Sequence, residues 1–155
     1  MRLTTLKLKN FRGYRGETVV GFDDLTAFVG KNDVGKSTIL EALDIFFNDK
    51  NSVAKIEKGD INKQSQQDGD TDICISACFS ELPERIVIDS SNETSFSAEY
   101  LLNESSELEI VKKYPNGGTA KVYVRANHPK NPMCCDLLSK TNAELKKLLN
   151  EQHID

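Results

Sequence analysis

The spacing of hydrophobic positions changes several times along the chain, and each change marks an element. Over residues 2–9, Leu6 and Leu8 alternate with Lys7 and Lys9. That two-residue period predicts a strand with one buried face. Two glycines in "NFRGYRG" break the run, and a second strand is expected over 17–22, with 13–16 as the hairpin connection. Residues 25–29 are a short apolar run ending at Gly30, which suits a buried parallel strand. Over 37–47 the period lengthens, and Ile39, Leu40, Leu43, Phe46 and Phe47 fall on one broad helical stripe.

Asn, Lys, Gln and Asp dominate residues 48–71, which predicts a long loop with a short helix near 53–57. Alternation returns in "DICISACFS" at 72–80, pointing Ile73, Ile75, Ala77 and Phe79 inward. "ERIVID" reads as a short strand or a helix end, and 95–103 and 108–114 alternate as strands. Asn116-Gly117-Gly118 supplies positive-φ residues for a hairpin leading into "KVYVR". After the break at "HPKNP", residues 135–152 read as a helix with Leu137, Leu138, Leu145, Leu148 and Leu149 apolar.

Composition narrows the class. The 155 residues suffice for one domain with a core, and 38% hydrophobic against 28% charged residues fits a soluble globular protein. No apolar run is long enough to span a bilayer, and the charged, alternating N-terminus is unlike a signal peptide, so a cytoplasmic location is expected. The net charge of −4 does not advertise nucleic-acid binding. A DNA contact would need a local patch or another chain; Lys112, Lys113, Lys121 and Arg125 are candidates for a patch, but a solvated hairpin face is the expected reading for them. Cys74 and Cys78 would lie roughly 13 Å apart along a strand, too far for a disulfide. Cys134, Cys135 and His128 lack the paired spacing of a zinc site.

The most specific chemistry lies in "FVGKNDVGKSTILEAL", residues 28–43. It is G-x-x-x-x-G-K-[ST], with an apolar run before it and an amphipathic helix after it. Gly30 and Gly35 let successive amides curl inward around a phosphate, and the helix N-terminus adds its own donors. Lys36 would neutralise the β- and γ-phosphates, Ser37 would ligate Mg²⁺, and Thr38 would lie near the α-phosphate. Asn32, Asp33 and Val34 complete the loop. No Asn-Lys-x-Asp stretch is present to read guanine, so ATP is the expected nucleotide. The partner acidic site of such hydrolases, an apolar strand ending in Asp and Glu, is incomplete. "RIVIDSS" offers Asp89, followed by Ser90.

"LKLKNFRGY" followed by this loop resembles the N-terminus of ABC-type ATPases of the RecF and SMC class. "GKNDVGKSTILEAL" is most similar to the OLD (overcoming lysogenization defect) ATPase–nucleases. The detailed likeness covers about residues 3–47, with "EKGDI" and "DICISACFS" similar in layout. The resemblance implies an α/β P-loop NTPase fold of the ABC/SMC-like type: an N-terminal lobe with a mixed sheet, an antiparallel β subdomain and the start of a helical insertion. On that expectation residues 1–134 form the lobe and 135–155 begin the insertion. The second acidic site, the signature loop and a Toprim endonuclease domain would lie outside these residues. It further implies ATP and Mg²⁺ as cofactors, dimerisation through the ATPase heads, and action on DNA. Anti-phage defence is also implied, with partners such as a helicase or a retron reverse transcriptase. In the wider class the Arg of "NFR" reaches toward the nucleotide, which makes Arg12 a candidate beside an ordinary hairpin-corner charge. Two alternatives accompany the nuclease expectation: a RecF/SMC-like DNA-repair or chromosome-structure ATPase without nuclease, and a stand-alone nucleotide-binding module.

Overall fold

The computed structural model describes residues 1–30, 35–48, 51–89, 92–127 and 140–151. Its strands are Arg2–Lys9 (β1), Thr18–Gly21 (β2), Ile73–Ser80 (β3), Ile86–Asp89 (β4), Asn92–Thr94 (β5), Leu108–Tyr114 (β6) and Lys121–Arg125 (β7). Its α-helices are Lys36–Asn48 (α1), Lys63–Gln67 (α2) and Asn142–Glu151 (α3). Five strands make one antiparallel sheet in the order β2-β1-β3-β6-β7, and β4 pairs with β5 apart from it.

Strand alternation decides which side chains meet. The register sets Leu6 opposite Ala77, Leu8 opposite Ile75, and Phe79 opposite Leu108, so one face of the sheet is continuously apolar. α1 covers that face with Ile39, Ala42, Ile45 and Phe46, all buried, and the Phe46 and Phe79 rings lie 6.5 Å apart. Each of the fully buried aliphatic side chains contributes about 1.5–3 kcal/mol by leaving water.

The opposite face is polar yet partly buried. Glu109 on β6 is only 2% exposed. Its carboxylate accepts from Lys7 Nζ at 2.8 Å and pairs with Arg125 at 2.9 Å, tying β1, β6 and β7 together. Partial burial opposes the charge on Lys7, but the hydrogen bond to Glu109 and the negative charges of Cys78 and Glu109 together outweigh it and hold the ammonium pKa above its ordinary value. Burial, with Glu109 alongside, pushes the Cys78 thiol up to about 11, so at neutral pH it is an unreactive thiol. Cys74 and Cys78 are both free. β7 closes the sheet with all five residues exposed, Val122, Tyr123 and Val124 among them.

Several expectations need correction. Residues 25–29 form no strand: a strand needs a ladder partner, and none pairs with them among the described residues. Leu25 is 89% and Val29 94% exposed, while Phe28 turns back to meet Phe22 edge-on at 6.2 Å. The segment 95–103 folds into turns, because Ser95 Oγ accepts from the Ala98 amide at 3.1 Å and Leu101 N bonds Phe96 O at 2.9 Å. Those local bonds compete with a ladder. The loop helix lies later than 53–57, where Asn62 Oδ1 caps the Gln64 and Ser65 amides of α2. On α1 the expected stripe is divided: Ile39 and Phe46 face the sheet, whereas Leu40 and Phe47 stay exposed. The cations of the β6–β7 hairpin are largely engaged within the chain, in keeping with the solvated face expected for them. Lys113 sits opposite Lys121 but pairs with Asp72 at 2.8 Å, Arg125 pairs with Glu109, and Lys112 points to the other face, over the Phe46 ring. Asp89 ends β4, on the separate two-stranded sheet. Cys134, Cys135, His128 and the predicted helix start near 135 lie outside the described residues.

The hairpin turn packs on the 57–58 backbone. Gly117 has φ +65°, and a Cβ there would lie 2.9 Å from Glu57 O. Gly117→Ala is therefore expected to lower the unfolding free energy by about 2 kcal/mol. A urea titration reads this directly, and an unchanged midpoint would mean that the contact does not persist in solution.

Candidate nucleotide site

α1 begins at Lys36, directly after Gly35, and its first turn holds no acidic residue. The unsatisfied amides and the positive end of the helix dipole are thus left for an external anion. Gly35 has φ +83°, and a Cβ on it would come within 2.8 Å of the Tyr14 hydroxyl. Only glycine fits both the backbone angle and the closeness of that ring. Gly35 O receives the Tyr14 hydroxyl at 3.3 Å and the Ile39 amide at 3.2 Å. Lys36 Nζ folds back and donates to Gly30 O, so the lysine bridges the two glycine ends of the loop. Ser37 is exposed and Thr38 half-buried at the mouth of the helix. Asn32, Asp33 and Val34, with Lys31, lie outside the described residues.

Arg12 approaches from the turn after β1. That turn is closed by reciprocal backbone bonds of 2.9 Å between Phe11 and Tyr14. Arg12 takes φ +50°, a costly angle for a side-chain-bearing residue. Its backbone is held there by Arg12 N to Asp60 O at 2.6 Å and by Asn62 Nδ2 to Arg12 O at 2.7 Å. The guanidinium donates through Nε to Asp60 at 2.8 Å and through its terminal nitrogen to Glu41 on α1. Partial burial opposes the charge, but the hydrogen bonds to Asp60 and Glu41 outweigh it and raise the pKa above the ordinary arginine value. A shallow recess of about 280 Å³ lies beside the same turn, lined by Arg12, Gly59, Ile61, Asn62, Lys63 and Gln64.

Of the sequence candidates, Gly35, Lys36, Ser37 and Thr38 stand together at the start of α1, with Gly30 tied to them by Lys36. Arg12 joins them through Glu41. Sequence reasoning missed Glu41, Tyr14 and Asp60 as neighbours of the site. The one legible signal was the spacing of Glu41, four residues after Ser37 and hence on the same helix side.

The donor set suits a nucleotide triphosphate: a helix N-terminus without competing carboxylate, a lysine at its first residue and a hydroxyl beside it. Over residues 1–155 the chain matches the AAA ATPase domain family (AAA_15). It is 38% identical over 52 residues to structural maintenance of chromosomes protein 1 of Schizosaccharomyces pombe, covering 33% of this chain and 4% of that protein. To the protein of the same name from Caenorhabditis elegans it is 35% identical over 57 residues, 36% of this chain and 4% of that one. The chain thus spans a small fraction of those relatives. A solved structure described as concerning ATP-driven dimerization and DNA-stimulated activation of SMC ATPases superposes with a TM-score of 0.53. That alignment has 16% identity and covers 98% of this chain and 99% of the other. Among the described residues no helix is long and apolar enough to cross a membrane. The chain belongs to the AAA ATPase domain family, and its fold is similar to that of the solved SMC ATPase structure.

Proposed function

We propose that this chain is the ATP-binding lobe of a larger SMC/RecF-like ATPase whose heads close on nucleotide and whose parent protein works on DNA. The observation that carries it is the start of α1, where Gly35, Lys36 and Ser37 present donors and a cation with no acidic residue in the first turn. Lys36 would hold the β- and γ-phosphates, Ser37 would ligate Mg²⁺, and bound ATP supplies the reactive phosphoanhydride. Asn32, Asp33 and Val34 would complete the cradle. The similarity to a solved SMC ATPase of ATP-driven dimerization supports the dimer and the DNA link.

Residues 1–134 are read as this lobe and 135–155 as the start of a helical insertion. Exposed Leu25, Val29 and Leu40 are apolar surface that a further lobe of the head would cover, which supports this reading. Within the class, we read the parent as an OLD-like endonuclease of anti-phage defence, with a Toprim domain beyond these residues. That finer reading rests on the likeness of "GKNDVGKSTILEAL" alone. The purified 155-residue chain is expected to bind ATP with Mg²⁺, seen by calorimetry, and to release no phosphate above background. Sustained turnover by the monomer would overturn the divided site.

A further inference from the structure

β7 is the outermost strand of its sheet, and among the described residues only β6 pairs with it. Alternate amides and carbonyls of an edge strand point away from the sheet. Those of Lys121–Arg125 have no other backbone partner among the described residues. The edge is held firmly in place. β6 pairs with β3 along its whole length, the hairpin turn packs on Glu57, and just after β7 the Asn127 amide donates to Leu102 O at 2.9 Å. The side chains of β7 divide by face. Val122 and Val124 lie opposite Lys112 and Ile110, on the face that α1 covers, and are 61% and 41% exposed. Lys121, Tyr123 and Arg125 lie opposite Lys113, Val111 and Glu109, on the polar face.

An edge strand is open to any extended chain unless something blunts it. β7 has no proline and no shift of register against β6. Its only guards are the charges at its ends, and these select by sign: they oppose a basic strand and favour an acidic one. The strand "KVYVR" holds two cations and no acid, in a chain of net charge −4. Lys121 forms no ion pair among the described residues. Arg125 is half exposed and divided between Glu109 at 2.9 Å and Glu17 at 3.6 Å, so a further carboxylate can reach it. We propose that β7 is the docking edge for an extended segment of a partner protein that carries apolar residues between two acidic ones. The segment adds to the sheet as a further strand, held by main-chain hydrogen bonds. Its apolar side chains continue the α1-covered face past Val122 and Val124. Its acidic ends lie beside Lys121 and Arg125, and its central residue lies beside the Tyr123 ring. Because the edge is already formed, the chain loses little freedom on binding.

The probe is a blocked peptide containing Glu-Val-Tyr-Val-Glu, titrated into the whole chain and followed by amide NMR. Shifts are expected to centre on β7, the outward amides of Lys121–Arg125 should exchange more slowly once bound, and affinity should fall as salt rises. A peptide with lysine in place of both glutamates is expected to bind at least about tenfold more weakly. Methylating alternate peptide nitrogens, in either phase, keeps every side chain; in the phase that faces β7 it should abolish binding. Lys121→Glu alters an exposed side chain, so thermal unfolding should stay unchanged while the acidic peptide weakens about fivefold, the size of one reversed cross-strand charge pair. Equal binding of the methylated peptides in both phases would overturn the strand addition, since charge attraction alone explains that. Equal binding of the acidic and basic peptides, or an unchanged affinity in Lys121→Glu, would overturn the acidic partner. Absence of shifts at β7 would overturn the docking edge altogether. Outward β7 amides already protected in the free chain would do the same, because another segment or a second copy would then occupy the edge. All of these outcomes are independent of nucleotide binding at α1.

Discussion

Lys36→Ala is expected to weaken ATP binding about 100-fold while leaving the chain folded, because a charged hydrogen bond to a phosphate lost in a desolvated loop has that size. The lysine stands at the first residue of α1, where the backbone donors converge, and its ammonium already bridges back to Gly30 O. That bridge holds the side chain curled over the loop rather than extended into solvent. Alanine keeps the helix and, with the best helix propensity, does not weaken α1. The variant should therefore match the parent in circular dichroism and differ in calorimetry. Lys36→Arg is a useful companion: it keeps the charge, but its planar fork replaces a compact ammonium on a loop built for close approach. An affinity for ATP unchanged in Lys36→Ala would remove the basis for placing nucleotide at this helix.

The second large effect is on stability. Glu109→Ala is expected to lower the unfolding free energy by about 3 kcal/mol, the range for removing one partner of a buried ion pair. The carboxylate is almost fully enclosed and receives Lys7 from β1 and Arg125 from β7, so its loss leaves two cations on one face of the sheet without their shared partner. Arg125 has a second, longer contact with Glu17 at 3.6 Å and is half exposed, so part of its charge can return to water. Lys7 is more enclosed and bears most of the cost. Glu109→Gln keeps the shape and one acceptor and should lose less. Urea midpoints of the two variants at low and high salt check this, since an enclosed pair is screened little. A loss under 1 kcal/mol for alanine would show that water reaches the network.

The period-two runs of β1, β3 and β6 were legible because their apolar residues alternate onto the face that α1 covers, even though Ser76, Cys78 and Glu109 on the other face are buried as well. The residues of α1 that face the sheet could be narrowed only to a stripe. The apolar positions span more of the helix than one sheet can cover, and which of Leu40 or Ile39 turns inward depends on a surface far away in sequence. The run 25–29 misled for a related reason. Composition reports that a segment is apolar, not whether a neighbouring strand exists to pair with it. At the site, the glycine spacing and Lys36 were visible because phosphate geometry demands those residue types at fixed offsets. Asp60 was not, since a carboxylate reaching back to a turn 48 positions earlier leaves no local pattern. Glu109 looked like an outward residue of an alternating strand; only the convergence of Lys7 and Arg125 over it makes that face an interior.

Among the described residues no strand pairs with the outer side of β7, which has a consequence for crowded solutions. "KVYVR" is nearly symmetric about Tyr123, so two such borders meeting head to tail, centred on that ring, would set Lys121 of each chain against Arg125 of the other. Two like-charge contacts at the ends of a five-residue zipper oppose what the valine and tyrosine pairs would gain. Within the described sheet, the charged ends of β7 thus discourage it from sticking to itself.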